Sequence, residues 1–320
     1  MKPLVSIIIP CYNAESWLLK AINSVLAQTW QKTEIIVVDD GSTDNSLGIA
    51  KQVKSSKIKV ISQINQGASS ARNRALVQAQ GDFIQYLDAD DLLGLDKIER
   101  QLKILEYDTS SSYIASGEWG RFYRTPSEAS FIAQSLWTDM SPVEWFICSW
   151  EYDLMMHPAT WLVPRSIVEL SGNWNESLSL NDDGEYFCRV ILASKGVRFC
   201  QGAKSYYRSG NPLSLSASYS RQAWESALLA LELCTANLIT HEDSKHTRHA
   251  CATVLQRFVH TVYPDYPDLL QKASNLVSYF GGTNLRLEGS PTIKFVEHYT
   301  GWKTAKLLQK MWGIILNRKK

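Results

Sequence analysis

Runs of consecutive apolar side chains, each followed by a polar turn, organise the N-terminal part of the chain. These runs cover residues 4–9, 34–38, 58–62 and 83–87. Between the first two, apolar residues recur at helical spacing, at Trp17, Leu18, Ala21, Ile22, Val25 and Leu26. Strands that are apolar on both faces are typical of a parallel sheet covered by helices on both sides. The pattern therefore predicts an α/β fold that begins with a β-α-β unit.

The pattern changes further along the chain. We expect two strands within residues 111–124, a helix within 141–150, a strand at 160–163, a helix at 183–195 and a strand at 197–200. From Ser220 onward the spacing is helical, with interruptions at residues 263–267 and 281–282. A stretch rich in serine near residues 210–220 breaks the periodicity. We therefore predict an α/β domain over residues 1–215 and a mostly helical region over residues 216–320.

Three carboxylates stand within four positions at the end of the fourth strand, at Asp88, Asp90 and Asp91. Like charges at this spacing repel one another unless a cation or hydrogen-bond donors lie among them. Hard oxygen ligands with few dedicated partners suit Mg²⁺ or Mn²⁺ held jointly with substrate phosphates. The alternative is an acidic turn that caps a helix from about Leu95 to Tyr107, since Asp is a common N-cap.

Polar clusters also follow the first and second strands, at residues 11–15 and 39–44. Open parallel sheets bind their ligands at the carboxyl ends of the strands. We therefore expect these two clusters and the acidic cluster after the fourth strand to meet at one site.

Four segments resemble a known family in their order and spacing. They cover residues 5–15, 38–44, 65–73 and 81–91 and read VSIIIPCYNAE, VDDGSTD, NQGASSARN and GDFIQYLDADD. They resemble the family 2 glycosyltransferases, inverting enzymes that bind nucleotide sugars. The resemblance implies a GT-A fold, which is a Rossmann-like mixed sheet flanked by helices, followed in this chain by a C-terminal helical extension.

For the sugar donor, the resemblance implies that Tyr12 stacks on the nucleotide base and that Asp40 pairs with it. An ionised carboxylate only accepts hydrogen bonds, so it suits the ring N–H of uracil, thymine or guanine and not cytosine. Arg72, at the start of a helix, suits a diphosphate, with a solvated surface charge as its alternative. Tyr12 and Asp40 could instead be an aromatic at a strand end and a turn residue. The residues expected to contact the donor are Pro10, Tyr12, Asn13, Glu15, Asp40, Arg72, Asp88 and Ala89.

For the metal, the family uses the last Asp of its Asp-x-Asp element, the DXD motif. In this chain that residue is Asp90, with Asp88 facing the ribose or the sugar and Asp91 as a less certain third member. The expected cofactor is Mn²⁺ or Mg²⁺. It would bridge the two phosphates and stabilise the charge that collects on the leaving nucleoside diphosphate.

For the catalytic base, residues 181–189 (NDDGEYFCR) resemble the family's Glu-Asp-x-(Asp/Glu)-x-x-x-Arg element, with Asp182 where Glu is usual. The resemblance implies that Asp183 is the base. It would take the acceptor proton as the hydroxyl attacks C1 opposite the leaving phosphate, and this single displacement inverts the anomeric centre. Both acids could also cap a helix, and the two roles are compatible.

The acceptor pocket is expected to be walled by residues 157–161 and 171–176. His157 fits a structural or acceptor-side polar residue better than a metal ligand. Tyr207-Arg208 stands where the family often has a basic residue that contacts phosphates.

The predicted function is that of a metal-dependent inverting hexosyltransferase. It would move a sugar from a nucleoside-diphosphate sugar, with UDP expected, to a hydroxyl of a glycan or lipid-linked acceptor during synthesis of polysaccharide, lipopolysaccharide or another cell-surface glycan. A sugar-phosphate nucleotidyltransferase would usually have a basic, Gly-rich loop where residues 10–13 stand. A non-catalytic nucleotide-sugar-binding protein would be expected to have lost Asp40, Asp88, Asp90 and Asp183, all of which are present.

Composition narrows the partners. The chain has 320 residues and a net charge of +1, so no overall field attracts nucleic acid. Six cysteines lack paired metal-ligand spacing, which favours reduced thiols and a cytoplasmic location. The N-terminus shows no signal peptide, and no stretch reaches the roughly 18 apolar residues that a spanning helix needs.

The C-terminal tail combines six basic residues with no acid, at Lys303, Lys306, Lys310, Arg318, Lys319 and Lys320. Its apolar residues recur at helical spacing on another face, at Trp302, Ala305, Leu308, Met311, Trp312 and Ile315. Such a helix can lie on an anionic membrane surface, here the inner face of the cell membrane. The alternative is a helix that packs on its own domain or in a homodimer.

Overall fold

The computed structural model describes residues 2–210 and 220–317. The strands are β1 (Val5–Cys11), β2 (Thr33–Asp40), β3 (Ile58–Gln63), β4 (Phe83–Tyr86), β5 (Leu92–Leu93), β6 (Tyr113–Phe122), β7 (Val163–Pro164) and β8 (Gly196–Arg208). The helices are α1 (Leu18–Leu26), α2 (Ser46–Gln52), α3 (Ala68–Gln78), α4 (Lys97–Ile104), α5 (Pro142–Tyr152), α6 (Arg165–Ser171), α7 (Asp182–Ala193), α8 (Arg221–His241), α9 (Lys245–Val262), α10 (Pro267–Tyr279), α11 (Pro291–Thr300) and α12 (Trp302–Asn317).

The main sheet has the strand order β3-β2-β1-β4-β7. Strands β1 to β4 pair in parallel, and β7 pairs with β4 in the antiparallel direction. Cys11 of β1 lies in register with Asp39 of β2, and Ile8 lies in register with Tyr86 of β4. The polar segments after β1, β2 and β4 therefore leave the sheet at the same edge. The predicted mixed α/β sheet is confirmed.

The apolar runs form central strands because both of their faces are covered. Every residue of β1 is buried. Ile7 and Ile9 pack with Leu18 and Ile22 of α1 on one face, whereas Ile8 packs with residues of α3 and the later helices on the other. Burial of such side chains contributes roughly 1.5–3 kcal/mol each, so these residues stabilise the central strands of the sheet.

A smaller sheet with the order β5-β8-β6 adjoins the first. Residues 111–124 were predicted to form two strands, and this is wrong: β6 is one strand with a bulge between Gly117 and Glu118. A Cβ atom at Gly117 would lie 2.2 Å from the carbonyl oxygen of Ala203. Glycine thus permits close approach of two backbones there, and it does not end the strand.

The strand predicted at residues 160–163 is shifted. Residues Pro158–Thr160 form a single 3₁₀ turn and the strand is only Val163–Pro164. The helices predicted within 141–150 and at 183–195 are confirmed as α5 and α7, and the strand at 197–200 is part of the longer β8.

The C-terminal helices pack against the α/β part of the chain. One hydrophobic core extends from Ile8 of β1 through α7 to Leu255 of α9 and Val277 of α10. The predicted boundary after residue 215 falls within residues 211–219, outside the described residues, and stays a prediction. All six cysteines are free thiols.

The last helix divides its apolar residues between two environments. Ala305 is buried, and Trp302 and Leu308 pack with it against Leu287 and Ile293 of the same chain. Met311 and Trp312, in contrast, are 59% and 40% exposed. The alternative of a helix that packs on its own chain therefore applies to the first half of α12, and membrane contact stays a prediction. The Ile315 side chain and residues 318–320 lie outside the described residues. Within the described residues, no helix has both the length and the apolar character that crossing a membrane requires.

Candidate active site

Hydrogen bonds join the loop after β1 to the loop after β2 beneath Tyr12. Asn13, which adopts a left-handed backbone conformation (φ 49°), accepts a hydrogen bond at Oδ1 from the Thr43 N–H at 2.8 Å. Glu15 accepts one at Oε2 from the Asn45 N–H at 2.9 Å. Both side chains therefore shape this double loop. Tyr12 stands on it 52% exposed, with its ring open to a stacking partner.

Asp40 is buried at the end of β2 and holds the segment that leads into α3. Its carboxylate accepts three hydrogen bonds, from Gln63 Nε2 at 2.7 Å, the Gln66 N–H at 2.9 Å and the Gly67 N–H at 2.8 Å. A carboxylate offers about four acceptor positions, so little capacity remains for a base. Pairing between Asp40 and the nucleotide stays a prediction.

Arg72 lies at the centre of the site. It is 5% exposed, so the alternative of a solvated surface charge is wrong. Nη2 lies 2.9 Å from Asp88 Oδ1, and Nη1 lies 2.8 Å from Asp182 Oδ2. Its guanidinium stacks over the Trp174 ring at 4.2 Å from the ring centroid. Arg72 thereby connects the acids at the end of β4 with those at the start of α7.

We name Asp88, Asp90 and Asp91 the strand-end cluster. Its members do not cap α4, which begins only at Lys97 with Asp96 as its N-cap residue and without a side-chain cap bond, so that alternative is wrong. Asp91 is 1% exposed. Its oxygens lie 3.1 Å from His157 Nδ1 and 2.8 Å from the Arg208 N–H. Both carboxylate oxygens of Asp91 are therefore engaged within the protein interior.

Asp90 differs from both neighbours because its carboxylate has no ion-pair partner among the described residues. Burial, together with the charges of Asp91 and Asp88, raises the pKa of Asp90 to about 7. A cation beside Asp90 would relieve this repulsion, so the residues present fit a divalent metal. No group of three or more His, Cys, Asp or Glu side chains surrounds a common point in the described part of the chain. A metal here would therefore need substrate oxygens to complete its coordination.

His157 is buried behind the strand-end cluster. Its Nδ1 faces Asp91, and its Nε2 lies 3.0 Å from Ser205 Oγ. Burial lowers the pKa of His157 to about 3, so the ring is neutral. The structural interpretation of His157 is the one that its surroundings favour.

Asp182 and Asp183, which we name the helix-start pair, begin α7. Asp182 Oδ2 accepts hydrogen bonds from Arg72 and from Ser69 Oγ at 2.9 Å. Asp183 is half-buried, and its Oδ1 accepts from the Gly184 N–H at 2.9 Å. Burial and the charge of Asp182 raise the pKa of Asp183 to about 6, against a lowering by Arg72. A carboxylate of this basicity suits general-base chemistry near neutral pH.

The aromatic and amide residues that pack beneath this pair were not predicted from the sequence. Trp174 stacks on Tyr186 of α7 with ring centroids 4.0 Å apart, and the Tyr186 hydroxyl lies 2.8 Å from that of Tyr86. Asn73 bonds to the backbone N–H and C=O of Trp174 at 2.8 and 2.9 Å. Asn73, which directly follows Arg72, was the residue in the sequence that could have indicated this packing. Its hydrogen-bond partner Trp174 lies 101 residues away, so the contact could not be read from the sequence.

Of the remaining predicted donor residues, Pro10 is buried in β1 in register with Val38. Ala89 is 8% exposed, between Asp88 and Asp90. Arg208, from the pair Tyr207-Arg208, donates from Nε to the carbonyl oxygen of Asp90 at 3.0 Å. The structure thus brings the predicted donor, metal and base residues to one edge of the main sheet, while their roles stay predictions.

Comparisons with known proteins agree with this architecture. Residues 6–147 match the family described as Glycosyl transferase family 2. An uncharacterized glycosyltransferase of Haemophilus influenzae is 46% identical over 106 residues, which are 32% of this chain and 42% of that protein. The UDP-Glc:alpha-D-GlcNAc-diphosphoundecaprenol beta-1,3-glucosyltransferase WfgD of Escherichia coli is 43% identical over 103 residues, which are 32% of this chain and 41% of that protein. The matched segments thus span less than half of these curated relatives.

Among solved structures, S. aureus TarS 1–349 in complex with UDP-GlcNAc superposes with a TM-score of 0.68 at 19% sequence identity. The match covers 84% of this chain and 79% of that one. The likeness extends over most of the chain, including part of the C-terminal helical region, and it confirms the fold.

Proposed function

We propose that the chain, whose residues 6–147 match the model of glycosyl transferase family 2, is a metal-dependent inverting glycosyltransferase. It would transfer a sugar from a UDP-sugar to a hydroxyl of a glycan or lipid-linked acceptor in cell-surface glycan synthesis. The observation that carries the proposal is the arrangement around Arg72. One cluster of acids fit for a metal and a second pair with a basic carboxylate lie on either side of one buried guanidinium.

On the donor side, the chain supplies the aromatic ring of Tyr12, the guanidinium group of Arg72 and the carboxylates of the strand-end cluster. Tyr12 would stack on the base, and Arg72, whose Nε has no hydrogen-bond partner among the described residues, would contact the diphosphate. Asp90 would hold Mn²⁺ or Mg²⁺, which when bound neutralises the charge of the leaving nucleoside diphosphate, and Asp88 would face the ribose or the sugar. The printed name of WfgD states UDP-Glc and the TarS structure holds UDP-GlcNAc, which supports a UDP-sugar.

On the acceptor side, Asp183 would accept the proton of the attacking hydroxyl. Its Oδ1 is held by the Gly184 N–H, which orients the carboxylate. Asp182, fixed by Arg72 and Ser69, would keep the start of α7 in place as the proton moves. Attack at C1 opposite the leaving phosphate would invert the anomeric centre.

The proposal is tested by thermal-shift titration of the full chain with UDP, GDP, dTDP and CDP and the corresponding sugars, with and without Mn²⁺. UDP should bind at least about tenfold more tightly than CDP, which corresponds to about 1.4 kcal/mol, because cytosine presents a lone pair to Asp40. Stabilisation that is equal for UDP and CDP would contradict the base pairing. Absence of any nucleotide effect in Mn²⁺ would contradict the donor site.

We also propose that α12 brings the enzyme to the inner face of the cell membrane. The exposed residues Met311 and Trp312 would enter the interface, and basic residues near the surface would each contribute about 1 kcal/mol. Co-sedimentation with vesicles of anionic lipid should therefore weaken with salt and with replacement of both residues by serine. Equal sedimentation of the wild-type chain and this variant would contradict the contact.

A further inference from the structure

A second polar cleft lies in the C-terminal helical region. Its volume is about 320 Å³, and its lining includes Asp153, Arg257, His260, Arg286, Glu288 and Lys306. The volume lies at the lower end of the range for ligand-binding pockets, roughly 300–1,000 Å³. None of these residues belongs to the donor or acceptor machinery described above, so the cleft is a separate feature.

His260 is an unusual lining residue because it is buried and incompletely bonded. It is 6% exposed, and its Nε2 has no hydrogen-bond partner among the described residues. The ring is fixed against Trp302, with centroids 4.7 Å apart. A buried polar atom without a partner is costly, so an atom of a ligand in the cleft would complete it.

The charge state of His260 decides what it can offer. Burial, with further contributions from Lys306 and Arg257, lowers the pKa of His260 to about 4. The imidazole is therefore neutral near pH 7, and the tautomer with its proton on Nε2 is a hydrogen-bond donor. The positive neighbours favour a ligand that carries negative charge.

Two cations of the cleft have no counter-ion within the part of the chain that the structure describes. Across residues 2–210 and 220–312, neither Lys306 nor Arg286 forms an ion pair. Lys306 is half-buried, and burial together with the charge of Lys310 lowers its pKa. An unpaired, partly desolvated ammonium group of this kind is stabilised by an anion.

Arg257 is already engaged with both acids of the cleft. It lies 3.1 Å from Asp153 Oδ1 and 3.3 Å from Glu288 Oε1. The side chains of these acids are 57% and 80% exposed, so they lie toward solvent. On the interior side of the cleft, Lys306 and the Nε2 of His260 are therefore the groups that can contact a ligand.

We infer that this cleft binds a phosphate group, with Lys306 and Arg286 pairing with its charge and His260 Nε2 donating to one oxygen. A phosphate offers several acceptor oxygens. They can accept hydrogen bonds from the ammonium group of Lys306, the guanidinium group of Arg286 and the N–H of His260. Two sources present this chemistry, a phosphate in solution and the headgroup of a lipid. The second is relevant because α12, which supplies Lys306, also exposes Met311 and Trp312.

The first arm of the test uses NMR of the full chain with labelled histidine side chains, titrated with inorganic phosphate. EDTA removes divalent ions, so that phosphate is not held by a metal at the strand-end cluster. The resonance that disappears in His260→Gln identifies the reporter. We expect a saturable shift of this resonance, and an affinity weaker by about tenfold or more in the double variant Arg286→Gln/Lys306→Gln. Lys303→Gln, an exposed position on α12 outside the cleft lining, should titrate as wild type.

The second arm distinguishes the source. Vesicles of phosphatidylcholine with phosphatidic acid are compared with vesicles of equal anionic charge made with phosphatidylglycerol. If a lipid headgroup is the ligand, the double variant loses binding to phosphatidic acid about tenfold more than Lys303→Gln does, with little difference on phosphatidylglycerol.

The inference is overturned if the His260 resonance does not respond to phosphate and neither vesicle separates the double variant from Lys303→Gln. It is also overturned if the double variant titrates as wild type. Should the double variant unfold at the temperature of the assay, Arg286→Gln alone is used, since Arg286 is exposed and its loss leaves the packing intact.

Discussion

The strand-end cluster and the helix-start pair are built from the same residue type and meet the same arginine, yet their surroundings differ. Asp88 and Asp182 each bind one nitrogen of Arg72. Beyond them, Asp90 has no cationic partner in the described part of the chain and a pKa raised to about 7. Asp183 has a pKa raised to about 6 by burial and by the charge of Asp182, while Arg72 acts in the opposite direction.

This difference shows that identical carboxylates can have different functions because their surroundings differ. Asp90 lies among acids that burial forces together, so it favours an external cation. Asp183 lies near Arg72, whose charge lowers its pKa, so it can stay ionised without a metal and accept a proton. We assign Asp90 to the donor and Asp183 to the acceptor, and three experiments can contradict that assignment.

The largest effect is expected at Asp183. Replacement by Asn should lower the kcat of transfer by about 10²–10⁴-fold, because an amide cannot accept the acceptor proton. KM for the donor should stay near the wild-type value. Steady-state kinetics with a nucleotide-sugar donor measure both quantities, and Asp108→Asn, a change at an exposed turn, is the matched control. A variant that loses donor binding but keeps kcat would place Asp183 on the donor side.

A comparable but smaller loss is expected at Asp90. Asp90→Asn should lower metal-stimulated transfer by about 10²–10³-fold, since charge stabilisation of the leaving group is lost. The dependence of rate on Mn²⁺ concentration should disappear as well. Asp91→Asn is an informative comparison because Asp91 binds His157 and Arg208 and should act through stability. Undiminished stimulation by Mn²⁺ in Asp90→Asn would contradict the metal assignment.

The smallest of the three effects concerns pH. A base works only when ionised, and the pKa of Asp183 is raised to about 6. Activity should therefore be full above that value and fall about tenfold per pH unit below it. The profile is measured at saturating Mn²⁺, which keeps Asp90 ionised. A profile that stays flat down to pH about 5 would exclude Asp183 as the base.

Much of the donor side could be predicted because it depends on local patterns. The apolar runs that became β1, β2 and β4 end in polar residues, and parallel pairing brings those ends together. The division of residues 111–124 into two strands was wrong because Gly117 accommodates the close backbone of Ala203 within one bulged strand.

The link between the two groups of acids could not be predicted. Arg72 reaches Asp182 across 110 residues, and no periodicity in either segment indicates that contact. The stacking of Trp174 between Arg72 and Tyr186 likewise depends on how α3 and α7 approach each other. The cleft at His260 depends on the docking of α12, whose apolar residues gave no sign of which would be buried.

The central claim is that the strand-end cluster serves the sugar donor and the helix-start pair serves the acceptor. Calorimetric titration of a UDP-sugar into two variants tests this claim most directly. In the presence of Mn²⁺, Asp90→Asn should bind the donor at least about tenfold more weakly than wild type. Asp183→Asn should bind it with wild-type affinity under the same conditions. Loss of donor affinity in Asp183→Asn, with wild-type affinity in Asp90→Asn, would contradict the account.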